Sequence, residues 1–266
     1  MIFIFGGFWL HPVSFLLTGL VLLAGSQAEY CIIVKNSGVR LQVVPAVLTG
    51  VILYIISSLV ASGLLPARYF LLIIPVMLII MIAQLYRKAK NPFDSLAHTF
   101  FSVLYTALPF SLFPFAAFSK SGLESLLPHH LAPFSPGLII GFFLLLWTND
   151  TGAYLTGITF GRHRLMERIS PKKTWEGFFG GALLAVIAAW VLSDWLGIID
   201  SVRWIIVALL ISITGTYGDL IESMLKRSLG IKDSGSVLPG HGGFLDRFDS
   251  TIIAFPMVFL FISLFG

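Results

Sequence analysis

A succession of apolar runs of about 20 residues is the feature that most constrains this chain. A membrane-spanning helix rises about 1.5 Å per residue, so it needs a run of that length to cross the hydrocarbon core of a bilayer. The mean hydropathy of +0.93 over 266 residues agrees with several such runs. They cover residues 12–34, 43–63, 69–86, 95–117, 137–157, 175–197, 203–225 and 250–265. The sequence therefore predicts an all-α fold, a polytopic transmembrane helical bundle of about seven full spans plus a short N-terminal apolar segment.

The loop at residues 118–136 separates two regions of different composition. The front region, residues 1–136, is a set of apolar spans, whereas the back region, residues 137–266, has strongly charged loops. Only about ten apolar residues precede His11, without the basic residues that open a signal peptide. We interpret this short segment as the end of a clipped first span.

Lys and Arg residues are divided unevenly between alternate sides of the predicted bundle. Fourteen of the seventeen lie in the loops at residues 35–40, 87–90, 162–173 and 226–247. By the positive-inside rule, these loops face the cytoplasm. The net charge of +4 therefore reports membrane topology, and we expect no nucleic-acid partner.

Ionisable side chains are concentrated at residues 218–249, between the last two apolar runs. If the preceding helix continues into this segment, four polar residues fall on one helical stripe: Asp219, Glu222, Ser223 and Lys226. Asp246 and Asp249 are likewise three residues apart at the start of the last helix. Carboxylates that approach each other at low dielectric repel unless a cation lies between them, and oxygen-only ligands favour Mg²⁺. The pattern predicts a magnesium site at the membrane edge.

A glycine-rich loop, KDSGSVLPGHGG, lies between these two helices and has no hydrophobic periodicity. Glycines let a backbone approach a ligand closely, and successive backbone N–H groups in such loops bind anions. The basic residues in and around the loop suit phosphate groups: Lys226, Arg227, Lys232 and Arg247. Metal-binding acids, phosphate-binding bases and a glycine loop together indicate phosphoryl or nucleotidyl transfer.

Several of these polar residues also have a structural interpretation. Asp150, near the end of an apolar span, could be a polar contact between helices. Arg227 could be a basic helix end that touches anionic lipid, and His241 could be a turn residue between glycines. For Glu29 and His98, lone polar groups in apolar spans, the structural interpretation is favoured.

The back region carries a long and specific pattern. Residues 223–227 read SMLKR, residues 232–235 read KDSG and residues 238–250 read LPGHGGFLDRFDS, with SPKKTWEG upstream at residues 170–177. This pattern resembles the signature of the CDP-diacylglycerol synthase family, also called phosphatidate cytidylyltransferases. The resemblance covers roughly residues 137–266, and the front region is similar only in being a set of apolar spans.

The resemblance implies a reaction in which CTP and phosphatidic acid give CDP-diacylglycerol and pyrophosphate, with Mg²⁺ as cofactor. It implies a multi-pass membrane enzyme of phospholipid biosynthesis with its active site at the cytoplasmic face, in a bacterium at the inner membrane. The nucleophile would be a phosphate oxygen that is already anionic, so the protein has to relieve repulsion between two anionic substrates. A second cation and a homodimer are compatible with this reading.

Residue roles follow from matching the signature to this chain. Residues 1–136 would form an N-terminal transmembrane region, and residues 137–266 a catalytic transmembrane region with cytoplasmic loops. The expected catalytic residues are Asp219, Lys226, Asp246 and Asp249. The expected metal ligands are Asp219, Asp246 and Asp249, with Asp150 as a fourth. Substrate would be bound by Lys172, Lys173, Arg227, Lys232, Asp233, His241, Gly242, Gly243 and Arg247.

Two other functional classes stay open at this point. A CTP-dependent polyprenol or lipid kinase would share the metal and nucleotide requirements, and analysis of the lipid product distinguishes it. A cation-coupled transporter would also place Asp150, Asp219 and Glu222 within the bundle, but it would not need a glycine loop flanked by phosphate-binding bases. Ion flux without CTP turnover would identify the transporter.

Overall fold

The computed structural model of the chain describes residues 2–118, 133–231 and 243–265. Within these ranges the chain is almost entirely helical, with one short β-hairpin. In chain order the elements are α1 (Ile2–Leu10), α2 (Pro12–Asn36), α3 (Val43–Ala61), a 3-10 helix (Ala67–Leu72), α4 (Ile73–Leu85), α5 (Pro92–Ser102), a π-helix (Val103–Ala107), α6 (Leu108–Ser111), α7 (Phe113–Ala117), α8 (Gly137–Phe160), β1 (Arg164–Met166), β2 (Ser170–Thr174), α9 (Trp175–Leu196), α10 (Ser201–Ser228) and α11 (Leu245–Phe265).

Eight helical runs in the described ranges are long and apolar enough to cross a membrane, which confirms the predicted all-α membrane bundle. The count exceeds the predicted seven full spans by one. The predicted run at residues 95–117 corresponds to Pro92–Ala117, which stays continuous through its prolines. Its first helix passes directly into the π-helix and then into two short helices. Pro109 has no N–H to donate to the carbonyl of Tyr105, so the helical ladder loosens there without an extended break.

The described residues form two compact units. The first unit holds the residues up to Pro136 together with residues 243–247. The second unit begins at Gly137, runs to residue 231 and resumes at Phe248. Helix α11 therefore begins in the first unit and continues in the second.

Buried polar side chains tie α2 to neighbouring helices within the first unit. The Gln27 side-chain amide donates to the carbonyl of Ala46 on α3 at 2.9 Å and to Ser102 Oγ on α5 at 3.3 Å. The Tyr30 hydroxyl lies 3.0 Å from Nδ1 of His98, which accounts for this histidine as a structural contact. Because apolar side chains gain little from leaving lipid for protein, such hydrogen bonds help to fix the bundle.

Glycines bring the helices of the second unit into backbone contact. A Cβ at Gly181 of α9 would lie 2.6 Å from the carbonyl oxygen of Asn149 on α8. A Cβ at Gly218 of α10 would lie 2.7 Å from the carbonyl oxygen of Asp249 and 2.9 Å from Cα of Ser250, both on α11. Small residues at such crossings let membrane helices approach closely. Asp150 and Asp219, which directly follow Asn149 and Gly218, therefore lie where these helices pack tightly.

Replacing Gly218 with Ala is expected to destabilise the protein by about 1–3 kcal/mol, because the added methyl has to displace backbone atoms of α11. Gly215, one turn earlier on α10, provides the matched control. A Cβ there would meet side-chain atoms, at 3.3 Å from Leu146 and 3.6 Å from Ser250. The midpoint of thermal unfolding in detergent should fall clearly for Gly218→Ala and little for Gly215→Ala. Equal midpoints for the two variants would contradict the close crossing.

A two-stranded antiparallel hairpin forms part of the charged segment before α9. Strand β1 pairs with β2, with Arg164 opposite Thr174 and Met166 opposite Ser170. Thr174 then caps α9, since its Oγ1 accepts the N–H of Gly177 at 3.1 Å. The motif SPKKTWEG is thus a strand followed directly by a capped helix start, and this local structure positions its two lysines.

Candidate active site

Three carboxylates and one lysine of the second unit form a cluster on four elements. Asp150 of α8, Asp219 of α10 and Asp249 of α11 are close enough to interact electrostatically, and Lys173 of β2 interacts with all three. The Lys173 Nζ lies 2.7 Å from Oδ2 of Asp219. These four residues are called the acidic cluster below. One ammonium among three carboxylates leaves an excess of negative charge, which favours the approach of a further cation.

The hairpin determines which of its two adjacent lysines faces the cluster. In β2, Lys172 is exposed, whereas its neighbour Lys173 is half-buried and pairs with Asp219. Glu176, in the first turn of α9, accepts the backbone N–H groups of Arg162 at 3.1 Å and His163 at 3.2 Å. The ring Nδ1 of His163 lies 2.6 Å from the same carboxylate. Glu176 thereby holds the start of the hairpin segment against α9.

Helix α10 stays regular through Ser228, so the predicted polar stripe forms. Ser223 Oγ donates to Oδ1 of Asp219 at 3.2 Å. One turn further on, Lys226 Nζ lies 2.6 Å from Oε2 of Glu222, whose side chain is only 1% exposed. A buried carboxylate thus fixes Lys226 on α10 seven residues after Asp219, and it limits the orientations of the Lys226 ammonium.

The acidic cluster has the donor chemistry for Mg²⁺ but does not form a closed set of ligands. In residues 2–118, 133–231 and 243–265, no three His, Cys, Asp or Glu side chains are arranged to hold one metal ion. The half-buried carboxylates of Asp219 and Asp249 nonetheless supply anionic oxygens only, which suits Mg²⁺. The ligand roles predicted for Asp150, Asp219, Asp246 and Asp249 stay predictions.

The first turn of α11 belongs to the first unit and carries two further predicted residues. Asp246 is half-buried, and its Oδ2 accepts the N–H of Gly243 at 3.2 Å. Arg247 is exposed, as is Arg227 at the end of α10. Their predicted roles in binding substrate stay predictions.

Four predicted substrate-binding residues lie outside the described residues: Lys232, Asp233, His241 and Gly242. Of the predicted glycine loop, the structure describes Gly243 at its end. The roles of the four residues rest on the sequence pattern alone and stay predictions.

Glu29 of α2 is a residue whose connection to the signature the sequence did not reveal. It is 4% exposed, and its Oε2 accepts the N–H of Leu245, the first residue of α11, at 2.7 Å. The contact joins residues 216 positions apart. In the sequence, Glu29 is a lone carboxylate in an apolar span, and such a residue is by default a candidate functional residue. No neighbouring residue in the sequence indicates its partner.

Comparison with known proteins identifies the class to which this membrane bundle belongs. The sequence profile described as the cytidylyltransferase family matches residues 1–265, so the chain belongs to that family. This result confirms the resemblance carried by the signature at residues 223–250.

Curated relatives in staphylococci have the name phosphatidate cytidylyltransferase. The protein of Staphylococcus haemolyticus strain JCSC1435 is 40% identical over 172 residues, which cover 61% of this chain and 66% of that protein. The protein of Staphylococcus epidermidis strain RP62A is 45% identical over 122 residues, 45% of this chain and 46% of that protein. The protein of Staphylococcus aureus strain COL is 47% identical over the same length. The matched segments thus span from about half to two thirds of these relatives.

Proposed function

We propose that the protein is a phosphatidate cytidylyltransferase. It transfers the cytidylyl group of CTP to phosphatidic acid, and it yields CDP-diacylglycerol and pyrophosphate. An oxygen of the phosphatidate phosphate bonds to the α-phosphorus of CTP, while the bond from that phosphorus to the bridging oxygen of the β-phosphate breaks. The observation that carries the proposal is the acidic cluster, with carboxylates from α8, α10 and α11 around Lys173. Family membership and the names of the staphylococcal relatives support the same reaction.

This chemistry requires the chain to bind and orient two anions. The attacking phosphate oxygen is already anionic at neutral pH, so no Ser, Cys or His has to be activated as a nucleophile. Lys173 and Lys226 would hold phosphate groups of CTP or phosphatidate. Each ammonium is already fixed by a carboxylate, Lys173 by Asp219 at 2.7 Å and Lys226 by Glu222 at 2.6 Å. Charge that is oriented before the substrate binds stabilises a transition state without further reorganisation.

Additional phosphate contacts would come from exposed bases and from the glycine loop. Described residues in this role are Lys172, Arg227, Gly243 and Arg247. Residues assigned to it by the sequence pattern are Lys232, Asp233, His241 and Gly242. Backbone N–H groups of such a loop bind phosphate oxygens without a side chain, which explains the need for glycine.

Mg²⁺ is the cofactor that we propose for this site. Its ligands would be Asp150, Asp219 and Asp249 of the acidic cluster, with Asp246 one helical turn before Asp249 on α11. Bound there, the ion would supply the positive charge that offsets the phosphate oxygens of CTP. The excess negative charge of the cluster supports this assignment, and the same donors are compatible with a second cation.

The site would lie at the cytoplasmic edge of the membrane. CTP is soluble in water and phosphatidic acid stays in the bilayer, so the two can meet only where helices end at the interface. Loops with fourteen of the seventeen Lys and Arg residues, including the segments around Lys173 and Lys226, support the cytoplasmic side. In a bacterium this is the inner membrane.

Product analysis with two forms of labelled CTP tests the proposed reaction. The purified protein is incubated in detergent micelles with phosphatidate, Mg²⁺ and CTP labelled at either the α- or the γ-phosphorus. Label from the α-position should enter the lipid fraction, and label from the γ-position should stay in water as pyrophosphate. Transfer of the γ-label alone to lipid would show a CTP-dependent kinase and would refute the proposal.

A further inference from the structure

Glu29 holds the start of the helix that carries the last part of the signature. Its side chain is buried in the middle of α2, yet it reaches the first residue of α11, with 2.7 Å between Oε2 and the Leu245 nitrogen. The first N–H groups of a helix have no intrahelical acceptor, and a negative charge at that end is stabilised by the helix dipole. Glu29 thus acts as an N-terminal cap supplied from the other end of the chain.

Neither of the two described residues that precede α11 has a side chain that can accept this N–H. Ser, Thr, Asp or Asn usually supplies a side-chain acceptor just before a helix, but here the preceding residues are Gly243 and Phe244. The nearest carboxylate, Asp246, accepts from the N–H of Gly243 instead. Accordingly, the N–H of Leu245 is satisfied by an acceptor from a distant segment.

Two glycines allow this close approach between α2 and residues 243–245. A Cβ at Gly243 would overlap the carboxylate of Glu29. On α2, Gly25 lies one turn before Glu29 on the same face, and a Cβ there would be 3.0 Å from the ring of Phe244. Gly25 and Glu29 therefore form one contact surface against the residues that lead into α11.

We infer that Glu29 is a positioning residue for the cytidylyltransferase reaction, because it fixes the first turn of α11 and with it the direction of the Asp246 carboxylate. The inference rests on the proposed function, in which Asp246 is a metal ligand. Loss of the cap lets this turn fray, and a displacement of about 1 Å at a reacting site can cost on the order of 100-fold in rate. A residue of the front half of the chain thereby fixes part of the signature segment.

Three variants test the inference. Glu29→Ala removes both the acceptor and the charge, whereas Glu29→Gln keeps an oxygen acceptor at the same reach. Gln27→Ala is the matched control, since it removes buried hydrogen bonds of α2 to Ala46 and Ser102. The readouts are amide hydrogen exchange of residues 243–248 in protein without substrate, the unfolding midpoint, and kcat and KM for CTP.

Glu29→Ala should speed exchange of the Leu245 amide by at least about tenfold and lower kcat by about 10- to 100-fold, with little change in KM for CTP. In Glu29→Gln, the Leu245 amide should exchange almost as slowly as in the wild type, and kcat should be close to the wild-type value. Gln27→Ala should lower the unfolding midpoint without the local change in exchange. Unchanged exchange in Glu29→Ala, or equal local exchange and kcat in Glu29→Ala and Gln27→Ala, would overturn the inference.

Two arrangements keep the test decisive. If Glu29→Ala does not fold, Glu29→Leu decides, because it fills much of the same volume without an acceptor: faster exchange confined to residues 243–248 supports the inference, and uniformly faster or unchanged exchange refutes it. The exchange measurement needs no substrate, so it reports on the cap even if the wild-type protein transfers no cytidylyl group. Failure of the folded wild-type protein to transfer a cytidylyl group would refute the proposed function without affecting the result on the cap.

Discussion

Replacing Asp219 with Asn is expected to lower kcat/KM for cytidylyl transfer by at least about 100-fold, close to 3 kcal/mol of transition-state stabilisation. Asp219 is the member of the acidic cluster that pairs directly with Lys173, and its charge also acts on Asp150 and Asp249. The substitution keeps the size of the side chain and removes its charge, so the effect should fall on chemistry more than on folding. Initial rates with labelled CTP and phosphatidate measure it.

Asp200→Asn is the matched control for this experiment. Asp200 caps the opposite end of the same helix, where its Oδ1 accepts the N–H of Arg203 at 2.8 Å. The substitution there should change the unfolding midpoint slightly and leave the rate within about twofold of the wild type. Normal activity in Asp219→Asn would refute the assignment of the acidic cluster as the active site. An equal loss of activity in both variants would indicate a folding defect instead.

Replacing Lys173 with Ala is expected to lower kcat by about 100-fold, because it removes the oriented positive charge of the acidic cluster. The three carboxylates would then face one another without their lysine, so binding of an anionic substrate should also weaken. Lys173→Arg keeps the charge with a different geometry and should restore part of the rate. Steady-state kinetics over a range of CTP concentrations separates the two effects.

Lys35→Ala is the control for loss of a positive charge. Lys35 is exposed in the last turn of α2, and its removal should leave kcat within about twofold. If Lys173→Ala were as active as Lys35→Ala, the ion pair of Lys173 with Asp219 would have a structural role only.

The helical architecture could be predicted from the sequence because membrane spans leave a simple signal. Eight apolar runs of about 20 residues correspond to the eight long apolar helical runs found among the described residues, and the polar stripe from Asp219 to Lys226 required only that α10 stay regular. Fine structure inside a span was harder to predict. The π-helix at Val103–Ala107 depends on how a proline is accommodated, which hydropathy does not report.

The hairpin and the choice between its lysines could not be predicted. Strands of three and five residues, RLM and SPKKT, carry no regular apolar alternation, so the segment before α9 looked like a basic loop. In the folded hairpin, Lys173 pairs with Asp219, whereas Lys172 is exposed. Sequence reasoning therefore treated the two lysines as equivalent.

Glu29 shows a different limit of sequence reasoning. A carboxylate in an apolar span had to have a polar partner, but the partner is a backbone N–H 216 residues away. No spacing rule links these positions, because the contact exists only after the two ends of the chain come together. The favoured structural interpretation agrees with the hydrogen bond that Glu29 accepts, but it did not reveal that the donor, Leu245, lies within the signature.

The identity of the small product released per lipid formed is the most direct test of the central claim. In phosphatidate-containing micelles with CTP and Mg²⁺, phosphorus NMR of the reaction should show one pyrophosphate for each CDP-diacylglycerol, and Asp219→Asn should form neither at a comparable rate. Release of CDP together with a newly phosphorylated lipid, or no CTP turnover by the folded wild-type protein, would contradict it.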